Sequence, residues 1–496
     1  PMAALTRLRG ASADVVVVGA GIAGVACAHY LSRINGMRVL MVDSRPPLSY
    51  TSSLSTECYR NFWAGSETMS SFMDRSIDLL ENRARECDNA FNMNRRGYWF
   101  VSASTEGAAQ QLQTAEAVAL QDGASVRIFD DSSHGERYDP HLPYDASTET
   151  IRLFRGADAI RAFVGPMHKY MTPSALSLMH CGRCGWMSAQ QMGAHLLSEA
   201  RKAGTATVIP ASLIAVHAEK GRVSAVSISV GALESLEPCI ERIPCQAVIN
   251  CAGPFAAAVD DILQAAGGQA ERRPSFPLIN EVHAKAVLRD ELRIVPDDAT
   301  MMIWQDPIDL GWGAEEKEEL RAMGGFEAAI ADMLPAGAHF RPYPGSPASL
   351  IMLWEALHAD IRISSPPPEA PPLRDELYGE LTMRALSRMV PRLSEYMRED
   401  GTMAASISVD GGYYTKTSDN LPLIGPVPGA PRGSFMCAAL SGYGIMASNA
   451  AGELLAQHVV GEALPKYADA FLPGRWQQRD YCLSLQQGQV QKGLQI

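Results

Sequence analysis

Three glycines and one aspartate near the start of the sequence have the types and spacing needed to hold a pyrophosphate and a ribose. Gly19, Gly21 and Gly24 follow a run of four valines, and Asp43 ends the next apolar run about 20 positions later. Glycines at a helix start let backbone N–H groups approach a pyrophosphate, and an acid at that spacing accepts a hydrogen bond from a ribose 2′-hydroxyl. We therefore predict an adenine dinucleotide without a 2′-phosphate, because Asp43 would repel that second anion.

The segments around these glycines predict the strand–turn–helix unit that this chemistry needs. The valine run 15–18 is β-branched and does not alternate with polar residues, which is typical of a strand buried on both faces. A helix is predicted over 22–34 and a second strand over 38–43. A glycine-rich turn in another kind of α/β protein is the alternative interpretation.

A second glycine turn lies near the other end of the sequence. The apolar segment 434–440 predicts a strand, residues 441–446 form a turn, and the small-residue segment 447–460 predicts a helix whose start can point at a ligand. The apolar segment 245–254 predicts another buried strand that ends in a turn. Buried strands from such distant regions predict one discontinuous sheet domain.

The predicted fold class is α/β, or α+β overall, with a Rossmann-like dinucleotide-binding domain and a second domain built on an antiparallel sheet. The length of 496 residues supports two or three domains, because it exceeds what one core usually holds. We assign residues 1–99, 186–265 and 401–496 to the first domain and residues 100–185 and 266–400 to the second.

Several elements are predicted for the second domain. Strands are expected over 283–288 and 349–355, and a polyproline-like connector over 366–372. Its predicted helices include 69–85 and 315–323, the latter rich in glutamate and expected to face solvent.

Composition narrows the class of protein and of partner. A formal net charge of −12 argues against non-specific binding to nucleic acid or to an anionic membrane surface. No apolar run has the length of a membrane span, and no signal peptide is visible, so we expect a cytoplasmic protein.

The ten cysteines do not form the framework of a disulfide-rich protein in a chain of this length. Cys27, Cys251 and Cys437 lie among small and apolar residues and are expected to be buried packing residues. Cys181 and Cys184 have the spacing of a redox pair or of half a metal site, and coincidence is the third interpretation. We predict no metal site.

Taken together, the motifs resemble those of the D-amino-acid oxidase, sarcosine oxidase and glycine oxidase superfamily of FAD-dependent amine oxidoreductases. The resemblance rests on the N-terminal glycines, on the serine-rich segment 52–56 followed by Arg60, on 248–254 and on 441–444. It implies a discontinuous FAD-binding domain of the glutathione-reductase type. It covers the first domain well and the second domain poorly.

The resemblance also implies which residues contact FAD. Glycine turns would meet the pyrophosphate and the flavin ring, Asp43 the ribose, and a mid-chain strand the adenine. The implied cofactor residues are Gly19, Gly21, Gly24, Asp43, Ser44, Arg45, Ser53, Ser55, Thr56, Leu213, Ala252, Gly253, Gly442, Tyr443, Gly444, Ile445 and Met446.

Departures from the family pattern bear on flavin attachment and on substrate binding. Gly412 stands where sarcosine oxidases place a flavin-linking cysteine, and no histidine lies in 50–60, so we predict non-covalent FAD. Met446 stands where those enzymes place a lysine, and Glu57-Cys58 replaces the usual glycine pair.

Amine oxidation passes a hydride to flavin N5 and needs a dry, aromatic pocket with few polar anchors. The first candidates for that pocket are Tyr414, Tyr443, Arg60 and Trp354, with Trp63 and Tyr413 as further walls. Arg60 is the first candidate for binding a carboxylate, followed by Arg341 and Lys285. The candidate proton carriers are His283, His339 and His358, and Glu57 or Glu355 could hold a cationic amine.

We therefore predict an FAD-dependent oxidase or dehydrogenase that acts on the C–N bond of an amino acid or secondary amine. Its partner is that small molecule, with O₂ or another acceptor reoxidising the flavin, and a homodimer is left open. The alternatives are a flavin monooxygenase or halogenase, and a flavoprotein that acts through a protein electron-transfer partner.

Overall fold

Two large β-sheets organise the chain in the computed structural model, which describes residues 12–230, 239–268, 278–343, 348–359, 361–363, 366–398, 403 and 405–487. The two ends of the predicted first domain, and its predicted boundary at 401, lie outside these residues. The strands are β1 Val15–Val18, β2 Val39–Asp43, β3 Cys58–Arg60, β4 Tyr98–Ser102, β5 Val126–Phe129, β6 Ile151–Arg155, β7 Ser177–Cys181, β8 Cys184–Trp186, β9 Ala206–Glu219, β10 Arg222–Val230, β11 Cys239–Pro244, β12 Ala247–Asn250, β13 Ile279–Arg289, β14 Met301–Trp304, β15 His339–Tyr343, β16 Ser349–Leu353, β17 Arg362–Ile363, β18 Ile407–Lys416, β19 Leu423–Pro426 and β20 Ser434–Ala438.

The α-helices alternate with these strands in the first part of the chain and cluster near its end. They are α1 Ile22–Ser32, α2 Glu67–Glu86, α3 Thr105–Ala119, α4 Ala157–Val164, α5 Ala189–Lys202, α6 Ala256–Ala266, α7 Ala314–Met323, α8 Gly325–Ile330, α9 Asp375–Leu386, α10 Gly444–Val460, α11 Ala468–Phe471 and α12 Arg479–Gln486. In the part of the chain that the structure describes, no helix is both long and apolar enough to cross a membrane.

The first sheet has the strand order β11-β10-β9-β2-β1-β12-β20-β19. Its centre is parallel: β1 pairs with β2 and with β12, β2 with β9, and β12 with β20. All four valines of β1 are buried, as expected for a central strand covered on both faces. This mixed α/β architecture, with a Rossmann-like parallel sheet and a second, largely antiparallel sheet, confirms the predicted fold class.

Helices α1 and α10 pack closely against each other beside the first sheet. A Cβ added to Gly452 would lie 2.8 Å from the backbone of Ala26, so the glycine is what permits this approach. Helix α2 belongs to the same apolar core through Met69, Phe72 and Ile77. The helix therefore lies with the first domain, as the assignment of residues 1–99 expects, and not among the helices named for the second, because its apolar side faces the core of the first.

The second sheet has the order β17-β13-β16-β15-β14-β4-β7-β6-β5, and β18 pairs with β13. Two of its pairs, β4 with β14 and β5 with β6, are parallel, so the sheet is mixed rather than wholly antiparallel. Strand β18 runs antiparallel to β13 over ten residue pairs. It therefore belongs to the second sheet, whereas the predicted boundaries assign all residues from 401 onward to the first domain.

Helix α7 has no buried residue, which agrees with the solvent-facing helix expected there. Strands β3 and β8 form a separate antiparallel two-stranded sheet. Cys181 and Cys184, at the ends of β7 and β8, are both buried free thiols, so the structure does not show the disulfide that their spacing left open.

Candidate functional site

Three neighbouring cavities lie between the two sheets. The largest, the dinucleotide cavity of about 450 Å³, is at the carboxyl ends of β1, β2 and β12. A middle cavity of about 80 Å³ shares Thr51, Ser52 and Gly444 with it. An inner cavity of about 50 Å³ shares Thr56 and Tyr414 with the middle one. Their shared walls place them side by side between the two sheets.

Most of the predicted cofactor residues line these cavities. Those at the dinucleotide cavity are Gly19, Gly21, Asp43, Ser44, Arg45, Leu213, Ala252, Gly253 and Gly444. Those at the middle cavity are Ser55, Thr56, Gly442, Gly444 and Ile445, and Tyr443 and Met446 lie at the inner one.

The first glycine turn is shaped by close backbone approaches. Gly19 has a φ of +105°, and a Cβ there would lie 2.3 Å from the carbonyl oxygen of Cys251. A Cβ on Gly24 would lie 1.9 Å from the Gly19 carbonyl oxygen, so Gly24 permits the helix–strand contact and does not itself line a cavity. Gly21 is the N-cap of α1, and a Cβ added there would have the Ser52 Oγ, at 3.4 Å, as its nearest neighbour.

Asp43 lies at the end of β2 and faces the dinucleotide cavity. Its Oδ2 accepts a hydrogen bond from the Ala20 N–H (2.7 Å), and its Oδ1 accepts one from the Arg45 N–H (2.9 Å). The Arg45 guanidinium lies 4.5 Å from the ring centre of Tyr50 and 5.0 Å from that of Phe255. These two rings, which the sequence did not single out, close one side of the cavity.

The serine-rich turn differs from the prediction by one residue. Ser53 is exposed and lines none of the three cavities, because its hydroxyl donates to the carbonyl oxygens of Ser49 and Tyr50. Ser52 takes the inward position, and its Oγ accepts a hydrogen bond from the Ile22 N–H at 2.9 Å. A 3₁₀ turn over 51–54 determines which of the two serines points inward, and the sequence pattern does not reveal this turn.

Thr51, next to Ser52, faces both the dinucleotide and the middle cavity. Its Oγ1 is buried and has no hydrogen-bond partner in the part of the chain described. A buried hydroxyl without a partner is costly unless a ligand or water bonds it. The position of the Thr51 hydroxyl therefore suits a polar ligand that extends from the dinucleotide cavity into the middle cavity.

The middle cavity combines the start of α10 with β18 and β13. Gly442 and Gly444 stand at the end of the second glycine turn, where the first backbone N–H groups of α10 are free of intrahelical partners. Lys285 lines the same cavity; its Nζ donates to the Leu54 carbonyl oxygen and pairs with Asp410, each at 2.8 Å. Its side chain is buried rather than turned to solvent.

The inner cavity brings together an arginine, a glutamate and several aromatic or sulfur-containing side chains. Arg60 is 8% exposed, its guanidinium lies 4.3 Å from the ring centre of Trp63, and its Nε donates to the Phe62 carbonyl oxygen. Burial lowers the pKa of Arg60, but a guanidinium remains charged in proteins. The further lining residues are Cys58, Tyr98, Met301, His339, Glu355, Tyr414, Tyr443 and Met446.

Two tyrosines of this cavity are held rigidly. The Tyr443 hydroxyl donates to the Asn420 carbonyl oxygen (2.6 Å), and its ring packs edge-on against Trp63. The Tyr414 ring stacks on the imidazole of His283 with 3.7 Å between centroids. Burial raises the pKa of both tyrosines, so both hydroxyls stay protonated at neutral pH.

His283 lines the middle cavity and lies between Glu355, at the inner cavity, and Glu281. Its Nδ1 lies 3.5 Å from the Glu355 Oε1, and its Nε2 lies 3.6 Å from the Glu281 Oε2. Glu281 also pairs with Lys416 and with the exposed Arg362. Burial alone would raise the pKa of Glu281, but His283 and Lys416 lower it to about 2. Glu281 therefore stays ionised at neutral pH.

His339 reaches the inner cavity as a neutral side chain. Its Nδ1 lies 2.7 Å from the Gly337 carbonyl oxygen, and burial lowers its pKa below the usual value. A neutral imidazole can exchange a hydrogen bond with a ligand without adding charge to the pocket.

Five candidate residues line none of the three cavities, and one of them is Trp63, which packs against Arg60 and Tyr443. Trp354 is 1% exposed in the core of the second domain, where its Nε1 donates to the Pro335 carbonyl oxygen. Arg341 bonds the carbonyl oxygens of Thr56 and Pro342, and His358 accepts from the backbone of Arg374. Glu57 accepts from the Ala189 N–H. We therefore correct the catalytic prediction for Trp354, whose neighbour Glu355 reaches the inner cavity instead.

Comparisons with known proteins agree with this architecture. Residues 14–458 match the family model DAO, described as FAD dependent oxidoreductase. L-proline dehydrogenase from P. horikoshii superposes with a TM-score of 0.65 at 16% identity, covering 94% of this chain and 98% of that chain. Glycine oxidase from Geobacillus kaustophilus gives a TM-score of 0.63 at 16% identity, covering 93% and 98%.

A curated relative matches a short part of the chain. The bifunctional protein MnmC of tRNA 5-methylaminomethyl-2-thiouridine biosynthesis from Albidiferax ferrireducens is 30% identical over 137 residues, 25% of this chain and 22% of that protein. The solved structures share the fold at low identity, whereas the family model spans nearly the whole chain. This protein therefore belongs to the DAO family of FAD-dependent oxidoreductases.

Proposed function

We propose that this enzyme oxidises the C–N bond of a small amino acid or a secondary amino acid. The observation that carries the proposal is the inner cavity, where the buried cation of Arg60 and the carboxylate of Glu355 line the same small space. A zwitterionic substrate has the complementary charges, a carboxylate and an ammonium group. The names of the structural neighbours, a proline dehydrogenase and a glycine oxidase, support a substrate of this class.

FAD fits the two larger cavities by the chemistry of their walls. The glycine turn at Gly19 and Gly21 offers backbone N–H groups to a pyrophosphate, and Asp43, which lines the same cavity, suits a ribose hydroxyl. The Thr51 hydroxyl, which has no hydrogen-bond partner among the described residues, suits a polar group of the cofactor. The start of α10 suits the negatively charged edge of a reduced flavin. When bound, FAD supplies the hydride acceptor for the oxidation.

Substrate binding is assigned to Arg60 and the aromatic walls. The Arg60 guanidinium can hold a carboxylate through paired hydrogen bonds, because it is fixed against Trp63 and enclosed by the cavity. Tyr414 and Tyr443 hold the carbon skeleton in place and exclude water. A cavity of about 50 Å³ favours a short side chain on the substrate.

The substrate ammonium must lose a proton before its C–H bond can deliver a hydride. We assign that proton first to the Glu355 carboxylate and then to the imidazole of His283. From His283 the proton leaves to solvent at the end of the chain of charges formed by Glu281, Lys416 and the exposed Arg362. The steps of 3.5 and 3.6 Å need only a small side-chain rotation to reach hydrogen-bond distance. The product imine is then hydrolysed by water.

The experiment that tests this function follows the flavin absorbance of the purified protein without oxygen. L- and D-amino acids, N-methyl glycines and polyamines are added separately. We expect a small amino acid or N-methyl glycine to bleach the flavin band. Recovery on admitting air indicates an oxidase, and bleaching without recovery indicates a dehydrogenase with another acceptor.

Bleaching by polyamines alone would contradict the proposed class, because those substrates offer Arg60 no carboxylate. A flavin that no compound reduces would instead favour a flavoprotein that acts through a protein electron-transfer partner.

A further inference from the structure

Three cysteine thiols from distant parts of the chain meet beneath the dinucleotide cavity. Cys27 lies in α1, Cys251 directly follows β12, and Cys437 lies in β20. Their sulfur atoms all lie within 4.8 Å of one another, and the Sγ atoms of Cys27 and Cys251 are 3.8 Å apart. Among the described residues, this is the one group of three or more such side chains close enough to hold a metal ion.

The distances suit a trigonal metal centre. A metal–sulfur bond of about 2.3 Å places three sulfurs of a planar site about 4.0 Å apart. The observed separations, from 3.8 Å to at most 4.8 Å, reach that value with sulfur movements of less than about 1 Å. The three side chains come from three packed elements, so the fold itself brings the donors together.

The donor set selects the kind of ion. The group contains only sulfur donors, which favour soft cations such as Cu(I), whereas Mg²⁺ and Ca²⁺ need oxygen ligands. A structural zinc ion almost always takes four protein ligands, and this group offers three. We propose that Cys27, Cys251 and Cys437 form a three-coordinate binding site for a soft monovalent metal ion, Cu(I).

A metal ion can reach this site through the dinucleotide cavity. Cys251 and Cys437 line the dinucleotide cavity, whereas Cys27 is fully buried behind them. An ion therefore arrives from the side on which the dinucleotide binds, and bound FAD covers the entrance. We expect Cu(I) uptake to be faster in the full-length protein without added FAD than in the FAD-saturated protein.

The test is an anaerobic titration of the full-length protein with Cu(I) against a coloured Cu(I) chelator, with and without saturating FAD. The cluster variants are Cys437→Ser and Cys27→Ser, and the matched controls are Cys87→Ser and Cys482→Ser, which alter half-buried thiols elsewhere. We expect one tightly bound Cu(I), with affinity lowered at least about 10- to 100-fold in the cluster variants and unchanged in the controls.

A second measurement does not depend on variants that fold. X-ray absorption of the Cu(I)-loaded wild-type protein should show three sulfur ligands at about 2.3 Å. Two sulfur ligands, or equal Cu(I) affinity in the wild-type and in correctly folded cluster variants, would overturn the proposal. Far-UV circular dichroism establishes which variants are folded.

Discussion

His283 and Tyr414 stack as diagonal neighbours across the β13–β18 pair, with 3.7 Å between ring centroids and 21° between planes. In this register His283 lies opposite Gly412, and Tyr414 lies opposite Glu281. The two side chains lie on the same face of the sheet, two residues apart in register, within the reach of aromatic side chains. The stack thus holds the proposed proton carrier against a wall of the inner cavity.

Replacing the imidazole by a benzene ring separates stacking from proton transfer. His283→Phe keeps an aromatic ring on Tyr414 and removes both nitrogens that face Glu281 and Glu355. We expect flavin reduction by an amino acid to slow by about 10²-fold at neutral pH, the usual contribution of an acid–base group. The rate should recover at high pH, where the substrate arrives as the neutral amine. Stopped-flow spectroscopy across pH measures this.

Arg362→Gln is the control for that variant, because it alters only the exposed end of the chain of charges. It should leave the pH profile unchanged. A His283→Phe profile that matches the wild-type would exclude His283 as the proton carrier while leaving amine oxidation intact.

Removing the cation of the inner cavity should selectively weaken the binding of substrates that carry a carboxylate. Hydrogen bonds to charged groups contribute about 1.5–3 kcal/mol each, so Arg60→Met should raise KM for an amino acid by about 10- to 150-fold. Steady-state kinetics measures this, with the matching amine that lacks a carboxylate as the control substrate. Arg60→Lys keeps the positive charge and should therefore raise KM for the amino acid less than Arg60→Met does. An equal loss for both substrates would mean that Arg60 acts through packing against Trp63.

The two glycines of the first turn should respond differently to alanine. Gly24→Ala places a Cβ 1.9 Å from the Gly19 carbonyl oxygen, and we expect it to lower the free energy of unfolding by about 1–3 kcal/mol or more. Gly21→Ala meets only the Ser52 Oγ at 3.4 Å, so the fold should persist. Its methyl group would narrow the cavity and weaken FAD binding about tenfold, or about 1.4 kcal/mol.

Thermal unfolding and flavin content distinguish these two effects. Normal FAD affinity in a folded Gly21→Ala protein would contradict the placement of the pyrophosphate at this turn.

A buried ion pair fixes the segment that precedes the second glycine turn. Arg475 bonds both oxygens of Asp419, at 2.8 and 3.1 Å, and Tyr443 bonds the next residue, Asn420. Breaking a buried pair usually costs about 3–5 kcal/mol, so Asp419→Asn should lower the free energy of unfolding by that amount. Asp130→Asn, in an exposed pair with Arg155, should cost less than about 1 kcal/mol. Urea titrations compare the two variants.

The same pair predicts sensitivity to acid. Burial alone would raise the pKa of Asp419, but the bonds from Arg475 keep it below the usual value of 3.8. A carboxyl whose pKa is lower in the folded state stabilises the fold above its unfolded pKa and loses that contribution as pH falls through the folded pKa. The stability gap between wild-type and Asp419→Asn should therefore be largest near neutral pH and shrink below about pH 4. A gap that is constant down to pH 2 would contradict this.

Flavin attachment can be tested by acid precipitation. Gly412 lines the middle cavity without a thiol, and we predict that FAD is held by non-covalent contacts alone. The yellow colour should therefore appear entirely in the supernatant after acid treatment. Flavin fluorescence that stays with the denatured chain on a gel would contradict the prediction and direct attention to Cys58, which lines the inner cavity.

Local sequence patterns predicted the first sheet and its glycine turns well. The valine strand, the helix after Gly21 and the strand ending at Asp43 form one continuous unit, so their periodicity and spacing carry the necessary information. The substrate side was predicted less well. Trp354 and Glu355 are neighbours in sequence, but the chain turns between them, and the glutamate rather than the tryptophan reaches the inner cavity.

The family, the FAD-binding unit and the mixed α/β fold follow from the sequence alone, because short motifs with fixed spacing encode each of them. The fold is needed to show that Ser52 rather than Ser53 faces the cavity, because packing sets which side chains of a 3₁₀ turn point inward. It alone also brought Arg60 to Glu355, and the three buried thiols to one another. These contacts join segments that lie far apart in sequence, 224 residues in the case of Cys27 and Cys251, and no local periodicity encodes the packing that brings them together.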